Sequence, residues 1–311
     1  MARIAVTGPT GGLGSNVVAA ATAAGHDVVV LVRDRARAPR TAATVTVFAG
    51  DATSSRDVER VARNADVLVH CANPPFDDHW AAEQAKMADA ALDAAAKTGA
   101  RLVFPANVWV YGPRAPGERV PDDAPLSPAS RKGEVRASIE SRIRTSGVPF
   151  TIARLAEFYG PGVTTLTARS LGALARGGVA HWYGPPDVAI ELAYMPDAGR
   201  GVLAAALSPD CVGRSIHVPT IGETTPRAFL ELARARAGEG SVRFMPAAAV
   251  RAAGLVSETA RAFADILHLW THPVLLRCDA WRALGLPLPS TEYQDGIDAT
   301  LSWLREAGPR D

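Results

Sequence analysis

The chain has 311 residues, 48% of them hydrophobic and 21% charged, with a formal net charge of +1. That size allows one large α/β unit or two joined lobes with a substantial core, and the near-neutral balance offers no basic field for nucleic acid. Apolar runs such as Val28 to Val32 are far too short to span a membrane. Three scattered cysteines (Cys71, Cys211, Cys278) and histidines without ligand spacing argue against a disulfide framework or a metal centre.

The elements begin at once. Arg3–Thr7 predicts a strand, with no room before it for a secretory leader, so a cytoplasmic protein is expected. The strand runs into Gly8, Gly11 and Gly14, spaced G-x-x-G-x-x-G, and then into a helical run from Ser15 to Ala24. Such a turn needs one glycine to reverse tightly, one to let backbone approach a pyrophosphate, and one for close helix–strand packing. The helix N-terminus then offers unpaired N–H groups and a positive dipole end to phosphate. Thr7, Gly8, Thr10, Gly11, Gly12, Leu13 and Gly14 are therefore the expected cofactor-binding cradle.

Val28–Val32 reads as a strand buried on both faces, and Val45–Ala49 as a third strand ending at Gly50-Asp51. Arg56–Asn64 predicts a short helix capped by Ser54 or Ser55. Strands follow at Val67–Cys71 and Arg101–Phe104, separated by a long alanine-rich helix from Trp80 to Thr98 that stops at Gly99. This alternation implies a parallel sheet covered on both faces. A proline- and charge-rich surface loop is expected over 112–128, then a helix from Ser130 to Ser146 and a strand from Phe150 to Arg154. Beyond Gly160 the pattern loosens. Helices are expected near Leu166–Arg176, Asp197–Leu207, Thr225–Ala237, Ser257–Leu269 and Gln294–Glu306, with strands near Glu191–Tyr194 and Ser215–Val218. The expected division is a dinucleotide-binding domain over 1–160, with 188–213 returning to it, and a smaller substrate lobe from 161–187 and 214–311.

In this order and spacing, several short motifs resemble the extended short-chain dehydrogenase/reductase superfamily, in its NAD-dependent epimerase/dehydratase-like branch. They are Thr7-Gly8-x-x-Gly11-x-x-Gly14, Gly50-Asp51, His70-Cys71-Ala72-Asn73, Val110-Tyr111-Gly112, Arg154 with Tyr159-Gly160-Pro161-Gly162, and Tyr194-Met195-Pro196-Asp197. The resemblance covers nearly the whole chain. It implies an α/β, Rossmann-type doubly wound parallel sheet with a smaller C-terminal α/β substrate lobe, and a nicotinamide cofactor across the sheet edge. It also places Asp51, Ala52, Cys71, Ala72 and Asn73 beside that cofactor. Asp51 resembles the aspartate that receives the adenine amino group; capping the next helix is its alternative role.

The departures from that pattern are specific. Where the family carries serine, four residues before the tyrosine of Val110-Tyr111-Gly112, this chain has Asn107. Where the family's tyrosine and lysine are expected stand Lys132 and Arg136. Lysine can exchange protons when burial lowers its pKa. Arginine cannot at neutral pH, but it can clamp a carboxylate or a ribose. Lys132 is thus the expected acid/base group, which would also touch the cofactor; a surface lysine on the first turn of a helix is the alternative. Asn107 would orient a substrate carbonyl, Arg136 hold charge near the nicotinamide, and Tyr111 serve as a spare proton donor.

The position that normally carries an acid for the adenosine ribose is Val32, followed by Arg33 and Asp34. Arg33 can pair with a 2′-phosphate, which favours NADP over NAD, while Asp34 keeps NAD open. Asn73, Trp109, Tyr159, His181, Tyr183 and Tyr194 are the expected substrate-facing residues, with Pro74, Pro75, Phe76 and Trp80 forming an apolar wall. The expected activity is an oxidoreductase acting on a carbonyl or alcohol of a small, moderately apolar or cyclic metabolite. A non-catalytic redox sensor, or an epimerase or lyase on the same fold, is the alternative. No nucleic acid, membrane or metal partner is expected, and a homodimer through the helices at 80–98 and 130–146 is left open.

Overall fold

Alternate residues of the first strands belong to two different cores. Ile4, Val6, Val28 and Val30 lie in one, and Ala5, Val29 and Leu31 in the other. A strand with period two can be apolar on both sides only when both sheet faces are covered, which is the condition for a parallel sheet. The computed structural model describes residues 1–38 and 45–307.

In chain order the first half runs β1 (Arg3–Thr7), α1 (Gly12–Ala23), β2 (Asp27–Val32), β3 (Val45–Ala49), α2 (Ser55–Ala62), β4 (Val67–His70), α3 (Trp80–Thr98), β5 (Arg101–Asn107), β6 (Arg119–Val120), α4 (Arg131–Thr145) and β7 (Phe150–Leu155). Next come β8 (Glu157–Tyr159), α5 (Leu166–Ala175), β9 (Val179–Tyr183), β10 (Ile190–Tyr194), α6 (Met195–Leu207) and β11 (Arg214–His217). The chain ends through β12 (Glu223–Thr224), α7 (Pro226–Ala237), β13 (Ser241–Met245), α8 (Ala247–Ala253), α9 (Glu258–Asp265), α10 (His268–Thr271), β14 (Leu275–Leu276), α11 (Asp279–Ala283) and α12 (Tyr293–Ala307).

Seven strands form one parallel sheet in the order β11-β7-β5-β4-β1-β2-β3. The order reverses between β1 and β4, and such a switch point opens a crevice at the carboxyl ends of the strands. Alanines Ala88, Ala91, Ala94 and Ala95 of α3 are buried against the same core as Val58 and Val61 of α2, so the alanine run serves close helix packing.

The later elements build three small sheets, β12-β10-β8, β13-β9 and β14-β6. Arg119 of β6 ties the last of these to the first by ion pairs to Glu191 of β10 at 3.0 Å and to Glu223 of β12. β11 belongs to the seven-stranded sheet, paired with β7. That sheet therefore takes in residues as far as His217, past the expected boundary at 213.

Four local expectations shift. α1 starts at Gly12, not Ser15, because the second glycine repeat is already helical. β5 continues through Pro105 to Asn107: β4 pairs it only as far as Val103, so the missing proline N–H removes no ladder bond on that side. The expected loop at 112–128 contains the short strand β6. The expected helix Ser257–Leu269 is broken into α9 and α10.

Candidate active site

The glycine turn is built for close backbone approach. Gly8 has φ +68, and a Cβ there would lie 2.6 Å from the Ala72 backbone. At Gly14 a Cβ would meet the Gly8 carbonyl oxygen at 2.1 Å, so helix and turn touch. Gly11 caps α1 with no side-chain hydrogen bond, and Thr10 and Gly11 are exposed. The first-turn N–H groups thus have no intrahelical or side-chain partner. A nicotinamide dinucleotide's pyrophosphate fits these residues: an open helix N-terminus, with the chain after β4 pressed against the turn. Thr7 is not open to a ligand, since it is fully buried with its hydroxyl 2.9 Å from His70 Nδ1.

At the ends of β2 and β3, Arg33 is exposed and helps hold the Asp51 carboxyl below its usual range. The larger causes are the Thr53 N–H and hydroxyl, both donating to Asp51 at 2.8 Å. Asp51 therefore shapes the turn into α2, while Ser54 caps that helix by accepting from Asp57 N–H. Asp34 accepts from Ala36 N–H at 2.9 Å.

Past β4, the sheet edge brings together Asn73, Phe76, Trp80, Asn107, Trp109, Lys132 and Arg136. Phe76 stacks on Trp80 and meets Trp109 edge-on, with ring centroids 5.6 Å apart in each case. Lys132 Nζ lies 5.7 Å from the Phe76 ring centre, and Arg136 lies over Trp80 and Phe104. These cations share one face of α4 because they are four residues apart. Lys132 donates to the Ala262 carbonyl at 3.1 Å and pairs with Asp265 at 3.6 Å. Asp265 also receives the Arg131 and Lys132 backbone N–H groups, so α9 is fastened to the start of α4. The Asn107 side chain accepts from Trp109 N–H at 3.2 Å.

Arg136 donates from Nη2 to Asn73 at 3.1 Å, whereas its Nε is buried without a hydrogen bond. Burial lowers its pKa to about 10, with Glu140 pulling the other way. The same crowding, with Arg136 nearby, brings His70 down to about 4 and leaves its Nε2 unpartnered. Burial also drives the Cys71 thiol up to about 12, so no reactive thiolate stands here.

Tyr111 and Tyr159, expected at the cleft, lie in the core instead. The Tyr111 hydroxyl accepts from Arg154 Nη1 at 2.8 Å and lies 2.9 Å from His217 Nε2. Arg154 is itself fully buried against Glu140. His217 Nδ1 faces the Arg277 carbonyl at 3.1 Å, which assigns the proton to Nδ1 and leaves Nε2 to accept from Tyr111. Burial, then Arg154, takes His217 down to about 3 and keeps it neutral. Tyr159 packs against Tyr194, Phe229 and Tyr293, with its hydroxyl buried and without a hydrogen bond. His181 and Tyr183 stack on one face of β9, in the two-stranded sheet with β13, and Tyr194 opens α6.

One residue the sequence reading passed over stands beside this cleft. Glu157, two positions past the end of β7, accepts from Trp109 Nε1 at 3.0 Å. Burial pushes its carboxyl above the usual range, partly offset by that hydrogen bond. The signal was a single carboxylate inside Leu155-Ala156-Glu157-Phe158-Tyr159, with apolar or aromatic neighbours on both sides.

A glycine turn opening on a helix N-terminus at the switch point of a doubly wound sheet, with an aromatic and cationic cluster beside it, defines a Rossmann-type α/β protein. The chain belongs to the NAD dependent epimerase/dehydratase family, whose model matches residues 4–218. It is 30% identical over 230 residues to a 3-diazoavenalumate denitrifying reductase from a Streptomyces species, covering 69% of this chain and 71% of that protein. Among solved structures it is similar to UDP-glucose 4-epimerase from Thermus thermophilus in complex with NAD. There the TM-score is 0.77 and identity 22%, over 98% of this chain and 100% of that one. A double mutant of dTDP-glucose 4,6-dehydratase from Streptomyces venezuelae, also with NAD bound, gives a TM-score of 0.79 and 22% identity over 98% and 97%. The family and these neighbours are enzymes.

Proposed function

We propose that this chain is an oxidoreductase moving a hydride between a nicotinamide dinucleotide and the carbonyl or alcohol carbon of a small, moderately apolar or cyclic metabolite. A residue other than tyrosine handles the proton. The observation that carries this reading is Arg136. A guanidinium at the sheet edge, with a buried, unpartnered Nε and, among the described residues, only Asn73 as hydrogen-bond partner, is a group waiting for an acceptor. A ribose diol or a substrate carboxylate supplies one.

When bound, the dinucleotide supplies or accepts the hydride. The chain's own residues do the rest. The α1 N-terminus holds the pyrophosphate, Arg136 with Asn73 holds the ribose or an anionic substrate group, and the rings of Phe76, Trp80 and Trp109 give the substrate an apolar wall. Lys132 reaches a substrate oxygen once it exchanges the Ala262 carbonyl for it. The name of the 30% identical relative, a reductase, favours the reducing direction. We further propose NADP as the preferred form. Arg33 is exposed at the adenosine end, and Asp34 is already committed to Ala36 N–H.

A second reading, a dinucleotide-binding regulator without turnover, is favoured by one observation: the Lys132 and Asn107 side chains are both engaged internally. The test is calorimetry with NADPH and NADH, followed by NADPH oxidation across a panel of cyclic and aromatic aldehydes and ketones. Binding with turnover supports the enzyme, and a rate that falls in Lys132→Ala supports Lys132 as the cation that holds the substrate oxygen. An unchanged rate removes Lys132 from that role. Tight binding without any turnover favours the regulator, and no binding of either dinucleotide refutes both readings.

A further inference from the structure

The Glu157–Trp109 pair stands beside the aromatic wall that the reading above gives to the substrate. Asn107 and Leu155 are neighbours across β5 and β7, and Glu157 and Trp109 each stand two residues beyond that rung. Their side chains meet at 3.0 Å, indole N–H to carboxyl oxygen, beside the Phe76 and Trp80 rings. A carboxyl in such a place has one fixed oxygen and one free to meet a ligand.

The charged and titratable groups on the elements around Glu157 are turned elsewhere. On β10, Glu191 receives Arg119 and the Leu276 N–H, while Tyr194 lies against Tyr159. On α5, Arg169 stacks on Phe263. Across the cleft, Lys132 is held by Ala262 and Asp265, and Arg136 by Asn73. No ion pair to Glu157 is present among the described residues, so burial favours its neutral form.

We propose that Glu157 is the acid of this site, a carboxyl anchored by Trp109 that hydrogen-bonds a substrate carbonyl oxygen and hands it a proton during reduction. The proposal rests on the oxidoreductase reading. In the step, the carbonyl carbon receives a hydride from the reduced nicotinamide dinucleotide, and the carbonyl π electrons move onto oxygen. That oxygen forms an O–H bond as the Glu157 O–H bond breaks, its electron pair staying on the carboxylate. Water then returns a proton to Glu157.

The variant is Glu157→Gln, which keeps an oxygen to accept from Trp109 but cannot titrate or give up a proton. The first readout is the Trp109 indole ¹⁵N–¹H resonance as a function of pH, assigned with Trp109→Phe. It should titrate with a midpoint above the value of about 4.3 for glutamate in a peptide, and the titration should vanish in Glu157→Gln. The second is reduction of the carbonyl panel. Glu157→Gln should lose roughly a hundredfold or more in kcat with dinucleotide affinity unchanged, and the wild-type rate should fall as pH rises through the Trp109 midpoint. Wild-type turnover in Glu157→Gln, or a midpoint at or below that of free glutamate, overturns the proposal. A high midpoint in a protein that binds no dinucleotide refutes the oxidoreductase reading, and the proton step falls with it.

Discussion

Replacing Gly8 by alanine perturbs the cradle at one atom, and Gly25 provides a matched control. Both glycines have left-handed φ, +68 and +75. Adding a Cβ at Gly25 meets nothing within 4 Å, whereas at Gly8 it meets the Ala72 Cα and N at 2.6 Å and the Cys71 carbonyl carbon at 2.7 Å. All of those are backbone atoms, so no side chain can swing away. The left-handed conformation costs an alanine about 1–2 kcal/mol at either position. Gly8→Ala carries in addition about 1–3 kcal/mol for forcing β1 and the chain after β4 apart. The expected loss is therefore about 1–2 kcal/mol for Gly25→Ala and about 2–5 kcal/mol for Gly8→Ala. Denaturant unfolding monitored by fluorescence reads this as a larger fall in midpoint for Gly8→Ala at an unchanged slope. Calorimetry should show weaker dinucleotide binding in Gly8→Ala alone. Equal midpoints for the two variants would refute the argument that backbone contact, and not conformation, dictates glycine at position 8.

At the adenosine end, Arg33→Ser should raise the dissociation constant for NADPH roughly ten- to hundredfold, the worth of a charge-assisted hydrogen bond. Affinity for NADH should stay the same; equal losses for both would remove Arg33 from the phosphate site. In the buried pair, Arg154→Met or Glu140→Gln alone should cost about 3–5 kcal/mol of unfolding free energy because each leaves a charged or polar partner unsatisfied. The double variant Arg154→Met/Glu140→Gln should recover part of that in a double-mutant cycle, and strict additivity would contradict the coupling. His70 and His217, neutral in the folded protein down to about 4 and about 3, bind protons from about 6.5 once unfolded. Stability is thus full above that range and falls as pH drops from 6.5 towards 4, by up to roughly 2.7 kcal/mol per pH unit for the two groups. A flat stability profile across that window would show that both rings are charged or exposed in the folded protein, and half that slope that one of them is.

The cradle was legible because its determinants are local. The spacing of Gly8, Gly11 and Gly14 between an apolar strand and a helix restricts the backbone within a dozen residues, and the five consecutive apolar residues of β2 demand cover on both faces. The resemblance carried by the short motifs implied the family and the doubly wound parallel sheet that the chain has. The reading failed where a side chain's neighbours come from distant parts of the chain. Tyr111 stands in a motif next to the cleft, yet Arg154, 43 residues on, and His217, 106 residues on, draw its hydroxyl into the core. Tyr159 likewise follows a strand at the cofactor edge, and packing by Phe229 and Tyr293 buries it.

The sequence by itself determined a doubly wound sheet with a dinucleotide turn at its first crossover, because glycine spacing and strand periodicity act over a few residues. Only the tertiary structure decided which polar groups at the sheet edge are free to act. Lys132 is held by Ala262, 130 residues away, Arg136 donates to Asn73, 63 residues earlier, and Glu157 is anchored by Trp109, 48 residues earlier. Burial and hydrogen-bond partnership set the protonation state and availability of such groups, and both arise from contacts that no local pattern encodes.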